Sequence, residues 1–191
     1  MNDTSTGTGR VVVNRSMSLD GFIAGPGDTM NWIFDFVAPD ASWMLEIAAA
    51  TGAMLVGRRT HEVGKRMQAD RERGSGASDE GYPVSGPVFV LTHEPPDPPD
   101  QGVTFLSGDI GDAVGTALAA AGGKNLEILG ADVAGQCLGR GLVDEILVYV
   151  LPLLLGDGIP FSAPGLARVD LEPISSAPSG DATILRFRVS K

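Results

Sequence analysis

The feature that most restricts the fold of this chain is a repeated unit: a short, nearly continuous apolar run meets a glycine and then a helical pattern. Ala53-Met54-Leu55-Val56 runs into Gly57-Arg58-Arg59-Thr60 and a short helix expected to end near Met67. Leu126-Glu127-Ile128-Leu129 meets Gly130-Ala131-Asp132 and a helix to about Leu138. Apolar runs with little polar alternation suit strands covered on both faces, the habit of parallel sheets. Val11-Val12-Val13, within Arg10–Asn14, is a third such run. It continues through Ser16–Ala24, where apolar and polar residues partly alternate.

The rest of the chain extends this alternation and then abandons it. Asp40 through Thr51 has a helical pattern, with Trp43, Met44, Ile47 and Ala48 on one face and Gly52 as its stop. Pro87–Thr92 and Val103–Leu106 read as strands, and Asp109–Ala121 as a helix ended by Gly122-Gly123. Asp144–Leu151 is a long apolar strand. Leu171–Pro173 and Thr183–Val189 form a terminal antiparallel pair around Pro178-Ser179-Gly180. Asp70–Gly86 is polar, Gly/Ser-rich and without periodicity, so a mobile loop or lid is expected there. Strands that alternate with helices early and pair without them late imply an α/β fold. Its central sheet is mixed and mostly parallel, covered by helices on both faces, with antiparallel C-terminal strands. One domain is expected over residues 10–191, after a flexible tail over 1–9.

Composition narrows the partners. The 191 residues carry a net charge of −10, which argues against nucleic acid or an anionic membrane as partner, because both need clustered Lys and Arg. One cysteine and two histidines exclude a disulfide framework and the common metal cages, so no metal is expected. Met1–Gly9 lacks the apolar stretch of a signal peptide. The longest apolar stretch, Ile146–Leu155, is too short for a bilayer and contains Pro152. A cytoplasmic location follows as the expectation.

Two turns carry the candidate chemistry. In Gly57-Arg58-Arg59-Thr60, a glycine permits close approach of a ligand to the backbone. Thr60 is placed to cap the following helix or donate to an anion, and two arginines offer charge-assisted bonds to phosphate. The competing reading is a solvated arginine pair in an acidic chain. Gly130-Ala131-Asp132 offers backbone amides in the same way, or is an ordinary turn with Asp132 as N-cap. Neither turn is Gly-x-Gly-x-x-Gly, and no Gly-x-Ser-x-Gly elbow occurs. By themselves His61, His93, Trp32, Trp43 and Cys137 read as surface or packing residues, and Asp144-Glu145 as the polar start of a strand.

Ser18-Leu19-Asp20-Gly21-Phe22-Ile23-Ala24, Gly57-Arg58-Arg59-Thr60, and Gly141-Leu142-Val143-Asp144-Glu145 leading to Pro152-Leu153-Leu154-Leu155-Gly156-Asp157-Gly158 form an ordered set. Together they resemble the reductase domain of bacterial riboflavin biosynthesis and its stand-alone relatives, which share the dihydrofolate reductase fold. The likeness spans about Val11 to Val189. It implies a three-layer α/β/α reductase with NADPH lying across the strand ends. By that resemblance Gly57, Arg58, Arg59 and Thr60 hold the 2′-phosphate and pyrophosphate, and Thr92 and His93 flank the adenosine phosphate. Gly130, Ala131, Asp132, Val133 and Ala134 supply amides to the pyrophosphate, while Ser16, Asp20 and Ile23 border the nicotinamide.

Asp20 is thereby the candidate catalytic carboxylate. Trp32 and Asp35 are candidate substrate-binding residues, in the stretch where dihydrofolate reductases carry a carboxylate on the first helix. Relatives often have consecutive glycines where this chain has Gly130-Ala131-Asp132; Ala131 narrows the backbone approach and Asp132 adds negative charge. The implied activity is hydride transfer to a small heterocycle or its sugar, of the 5-amino-6-(5-phosphoribosylamino)uracil reductase type. Dihydrofolate or pterin reduction and a non-catalytic NADPH-binding protein are the alternatives. A homodimer is expected, since family members commonly pair through their sheets and Ile146–Leu155 is strongly apolar.

Overall fold

In a computed structural model of the chain, which describes residues 9–36, 42–73 and 86–191, the three apolar runs become adjacent parallel strands. They are β1 (Val11–Ser18), β3 (Thr51–Gly57) and β6 (Asn125–Leu129), with β6 central: Val13 and Leu55 both register on Ile128. Between β1 and β3 lie the short strand β2 (Phe22–Ala24) and helix α1 (Ser42–Ala50). Helix α2 (Arg58–Glu72) leads to β4 (Val88–Leu91) and β5 (Val103–Leu106), and α3 (Ile110–Ala120) precedes β6. The chain continues through α4 (Ala131–Gly139), β7 (Glu145–Leu151), β8 (Ile159–Pro160), β9 (Leu171–Ser179) and β10 (Ala182–Val189).

The large sheet has eight strands in the order β5-β4-β3-β6-β1-β7-β10-β9, and β2 pairs with β8 separately. From β5 to β7 all neighbours are parallel; β10 runs antiparallel to both β7 and β9. Every helix-linked crossover is thus spent on the parallel part, and the last strands close by a hairpin, as the order of patterns implied.

Periodicity explains the core. Ile110, Ala113, Val114 and Ala117 lie on one stripe of α3, and Val133, Ala134, Cys137 and Leu138 on one stripe of α4. Both stripes pack on Val11, Val13, Ala53, Leu55, Leu126 and Ile128, none more than 4% exposed. Each such Leu or Ile contributes about 1.5–3 kcal/mol. Helices α1 and α2 approach β3 and β4 and form the second helical layer.

Several expected boundaries move. Thr51 and Gly52 belong to β3 and not to the preceding helix. A Cβ on Gly52 would lie 2.1 Å from the carbonyl oxygen of Ala121, so the glycine permits close approach to the end of α3. Helix α2 runs past Met67 to Glu72, supported by Gln68 donating to Glu72 at 3.1 Å. The expected loop over 70–86 therefore begins as helix, and its residues 74–85 lie outside the described residues, as do the tail over 1–8 and Asp40. Strand β9 extends to Ser179 through Pro173 and Pro178, which an edge strand tolerates because one row of its amides needs no partner. Glu145 does open β7, as its polarity implied, but it is buried, and Arg10 and Arg186 both pair with its carboxylate. Finally, β7 is apolar because its side chains are buried along most of its length, and with β1 on one side and β10 on the other it has no edge to offer a second copy.

Candidate functional site

Parallel α/β sheets bind ligands beyond the carboxyl ends of their strands, where helices begin and amides are unpaired. Here an open cleft of about 1600 Å³ follows those ends, lined by Thr92 after β4, Gly57 of β3, Gly130 after β6 and Ser16 of β1. Pockets that hold one drug-sized ligand measure about 300–1000 Å³, so this cleft has room for more than one small molecule.

The two glycine turns meet. Gly130 stands at φ 88° as the N-cap of α4, and a Cβ there would fall 2.3 Å from Thr60 Oγ1. A Cβ at Gly57 would fall 3.2 Å from Val133 Cγ2. The turns can approach this closely only because both positions are glycine and β3 pairs directly with β6. Thr60 is the third residue of α2 rather than its cap, since the helix starts at Arg58. Asp132 likewise is not the N-cap of α4: it lies in the first turn, where Gln136 Nε2 donates to it at 3.0 Å.

The arginine pair lines the cleft, but not as free cations. Arg58 Nε is 3.0 Å from Glu62, and Arg59 is held at 2.7 and 2.9 Å by both oxygens of Asp28. Hydrogen bonding from Arg59, foremost, keeps the Asp28 carboxyl below the usual carboxylate range. Asp28 stands at φ 64°, at the end of a 3-10 turn over Pro26–Asp28, and Arg66 also reaches it at 3.5 Å. The loop after β2 is therefore clasped to α2. Further along α2, His61 and Lys65 share Asp100 at 2.9 and 2.7 Å.

The expected residues divide clearly. Ser16, Ile23, Gly57, Arg58, Arg59, Thr60, Thr92, His93, Gly130, Ala131, Asp132 and Val133 all line the cleft. Ala134 does not: it is 1% exposed, and its amide is spent on the Gly130 carbonyl inside α4. Asp20 does not line it either. Its carboxylate accepts from Ser18 Oγ at 2.6 Å and from the Leu155 and Gly156 amides at 3.1 and 2.7 Å. The Ser18 hydroxyl above all holds that carboxyl below its usual range. With Gly21 at φ 91°, Ser18-Leu19-Asp20-Gly21 is a turn that ties the end of β1 to the loop after β7, and it places no acid in the cleft. Trp32 and Asp35 also lie off the cleft; Ile33 and Phe34, between them, face it, and the Trp32 indole donates to the Thr29 carbonyl.

Three buried polar residues that line the cleft escaped sequence reasoning: Asn14, Arg15 and Tyr149. Burial, with the charges of Glu127 and Glu46, raises the Tyr149 hydroxyl well above its ordinary value. Each lies inside an apolar-looking strand, and their only signal is a polar side chain interrupting such a run.

A family model for the RibD C-terminal domain matches residues 10–185. The chain belongs to that family. A curated relative, the uncharacterized protein YwjB of Bacillus subtilis (strain 168), is 25% identical over 153 residues, covering 79% of this chain and 81% of its own. The crystal structure of a putative riboflavin biosynthesis protein from Shewanella sp. PV-4 superposes with TM-score 0.74 at 24% identity, covering 95% of this chain and 99% of that one. Dihydrofolate reductase from Enterococcus faecalis, complexed with NADP(H), gives TM-score 0.58 at 15% identity, covering 97% and 99%. The RibD C-terminal domain fold and the dihydrofolate reductase fold are thus shared here, as the residue patterns implied. Among the described residues, no helix is long and apolar enough to cross a membrane.

Proposed function

We propose that the chain is an NADPH-dependent reductase of the riboflavin-biosynthesis type, acting on a small heterocycle or its sugar. What carries this reading is the contact between the Gly57–Thr60 and Gly130–Asp132 turns at the ends of neighbouring parallel strands. Together they present two helix N-termini to one cleft, and a dinucleotide has phosphates enough for both.

The residues present fit such a cofactor. The early amides of α4 precede its first intrahelical bond, from Ala134 to Gly130, and remain as donors for a pyrophosphate. Arg58 and Arg59 would hold the 2′-phosphate by exchanging Glu62 and Asp28 for it. Thr92 and His93 would flank the adenosine side, and Ser16 and Ile23 the nicotinamide. When bound, NADPH supplies the hydride. The chain's part is to exclude water with Ile33 and Phe34 and to offer polar groups at Asn14 and Tyr149.

Titration with NADPH and NADH, followed by turnover against ribosylaminopyrimidines and dihydrofolate, tests this. Expected are preferential NADPH binding and oxidation with a ribosylaminopyrimidine. Turnover with dihydrofolate alone would assign the chain to pterin reduction. Tight NADPH binding without turnover would favour a nucleotide-binding protein, a second reading to which the absence of Asp20 and Asp35 from the cleft lends weight. We extend the proposal to a cytoplasmic homodimer, which light scattering and fractionation would check.

A further inference from the structure

Arg15 is 6% exposed, lines the cleft, and has no acid partner among the described residues. Its Nη1 donates to the Phe161 carbonyl at 2.5 Å and its Nη2 to the Gly130 carbonyl at 2.6 Å, while the guanidinium carbon sits 5.2 Å from the centre of the Phe161 ring. Nε is buried with no hydrogen-bond partner. Burial pulls the group down to about 10, which leaves it charged at neutral pH. Buried charges are ordinarily paired, because desolvation is costly. The other cleft arginines show the contrast: Arg58 and Arg59 are exposed and already neutralised by Glu62 and Asp28.

Gly130 is where this charge acts. Its carbonyl and the Ala131 amide belong to one planar peptide unit, with C=O and N–H pointing in opposite directions. Pinning the oxygen by a cation fixes the direction of the Ala131 N–H and polarises it as a donor. The same carbonyl also accepts from Ala134 at the start of α4, so the cation and the helix N-terminus act on one peptide. Asp132, one residue on, opposes an anion at this turn, and an unneutralised neighbour offsets that.

We propose that Arg15 is a positioning residue for a diphosphate ester in the cleft, supplying through the Gly130 peptide the positive charge that the ligand's diphosphate completes. The proposal deepens the dinucleotide reading and rests on it. It does not depend on hydride transfer.

ADP-ribose is the probe, since it carries the diphosphate but neither a nicotinamide nor a 2′-phosphate. Calorimetric titration of the full chain is expected to show binding that weakens with added salt. Arg15→Met, which keeps the apolar stem, and Arg15→Gln, which keeps a donor without the charge, should each lose roughly ten- to a hundredfold in affinity. Both should show a shallower salt dependence, with melting temperatures without ligand that are unchanged or raised. A merely structural clamp gives the opposite: lower melting temperature, unaltered affinity and unaltered salt dependence. Wild-type failure to bind ADP-ribose, or a folded neutral variant that binds like wild type, overturns the proposal. If neither variant folds, Arg15 belongs to the framework and the proposal also falls. Binding of ADP-ribose without any NADPH oxidation would sink the reductase reading and leave this one standing.

Discussion

Arg59 and Asp28 are joined at both ends: Nη2 lies 2.7 Å from Oδ1 and Nε 2.9 Å from Oδ2. The pair links the first turn of α2 to the loop after β2, and so places a carboxylate where the 2′-phosphate of NADPH would compete for it. Because Arg59 is 68% exposed, water screens the pair and it contributes little to stability. Asp28→Asn should therefore raise NADPH affinity by about two- to fivefold while leaving NADH nearly unchanged. Equal changes for both cofactors would remove Arg59 from the 2′-phosphate.

The acid limb of stability follows from the same chemistry. Asp28, Asp100 and Asp109 are held below their ordinary 3.8, mainly by Arg59, by Lys65 and His61, and by Arg140. A depressed carboxyl contributes its full stability above the unfolded value and loses it as pH falls through the folded one. Melting temperature should be flat on this account from neutrality down to about the ordinary carboxylate value and fall below it, less steeply in Asp28→Asn. Differential scanning calorimetry across that range checks the sign; an equally steep fall in the variant would deny Asp28 a part.

Gly130→Ala meets two obstacles, a φ of 88° and the Thr60 hydroxyl 2.3 Å from the new Cβ. Strain of this kind costs about 1–3 kcal/mol. Adding Thr60→Ala should recover the clash but not the backbone strain, so the double variant should be more stable than Gly130→Ala alone. Denaturant midpoints arranged as a double-mutant cycle measure this coupling, and strict additivity would show that the two turns do not touch.

Glu145 is 2% exposed and takes Arg10 on one oxygen and Arg186 on the other. Both arginines keep access to water, at 55% and 41% exposure, so truncation strands them less than a fully buried pair would be stranded. Glu145→Ala is expected to cost about 2–4 kcal/mol, and chemical denaturation would read it.

Cys137 is fully buried and burial pushes its thiol up to about 12. A chromogenic disulfide reagent should leave it unmodified in the native chain and titrate one thiol in denaturant. Rapid native labelling would contradict the packing of α4 on the sheet.

Much of the site was legible along the chain because its signals are local. A glycine that ends an apolar run and opens a helix marks a strand–helix turn wherever it occurs, so Gly57 and Gly130 could be read without knowing their neighbours. The helix expected over Asp109–Ala121, which the structure forms as Ile110–Ala120, was legible for the same reason. Asp20 shows the limit of motif reading. The spacing Ser-x-Asp-Gly is as well explained by a turn that satisfies two distant amides as by catalysis, and only the position of Leu155 and Gly156 decides between them.

Strand runs, turn glycines and helix stripes follow from backbone conformation and burial, which act over a few residues, and here the chain's own order was enough. Charge is different. Whether an arginine is a free cation depends on which acids the fold brings within about 4 Å, and Asp28 reaches Arg59 across 31 positions while no acid among the described residues pairs with Arg15. Tertiary structure alone neutralised Arg59, whereas Arg58 meets Glu62 one turn along its own helix, and tertiary structure alone buried Arg15, which looked like part of a strand, without an acid partner among the described residues.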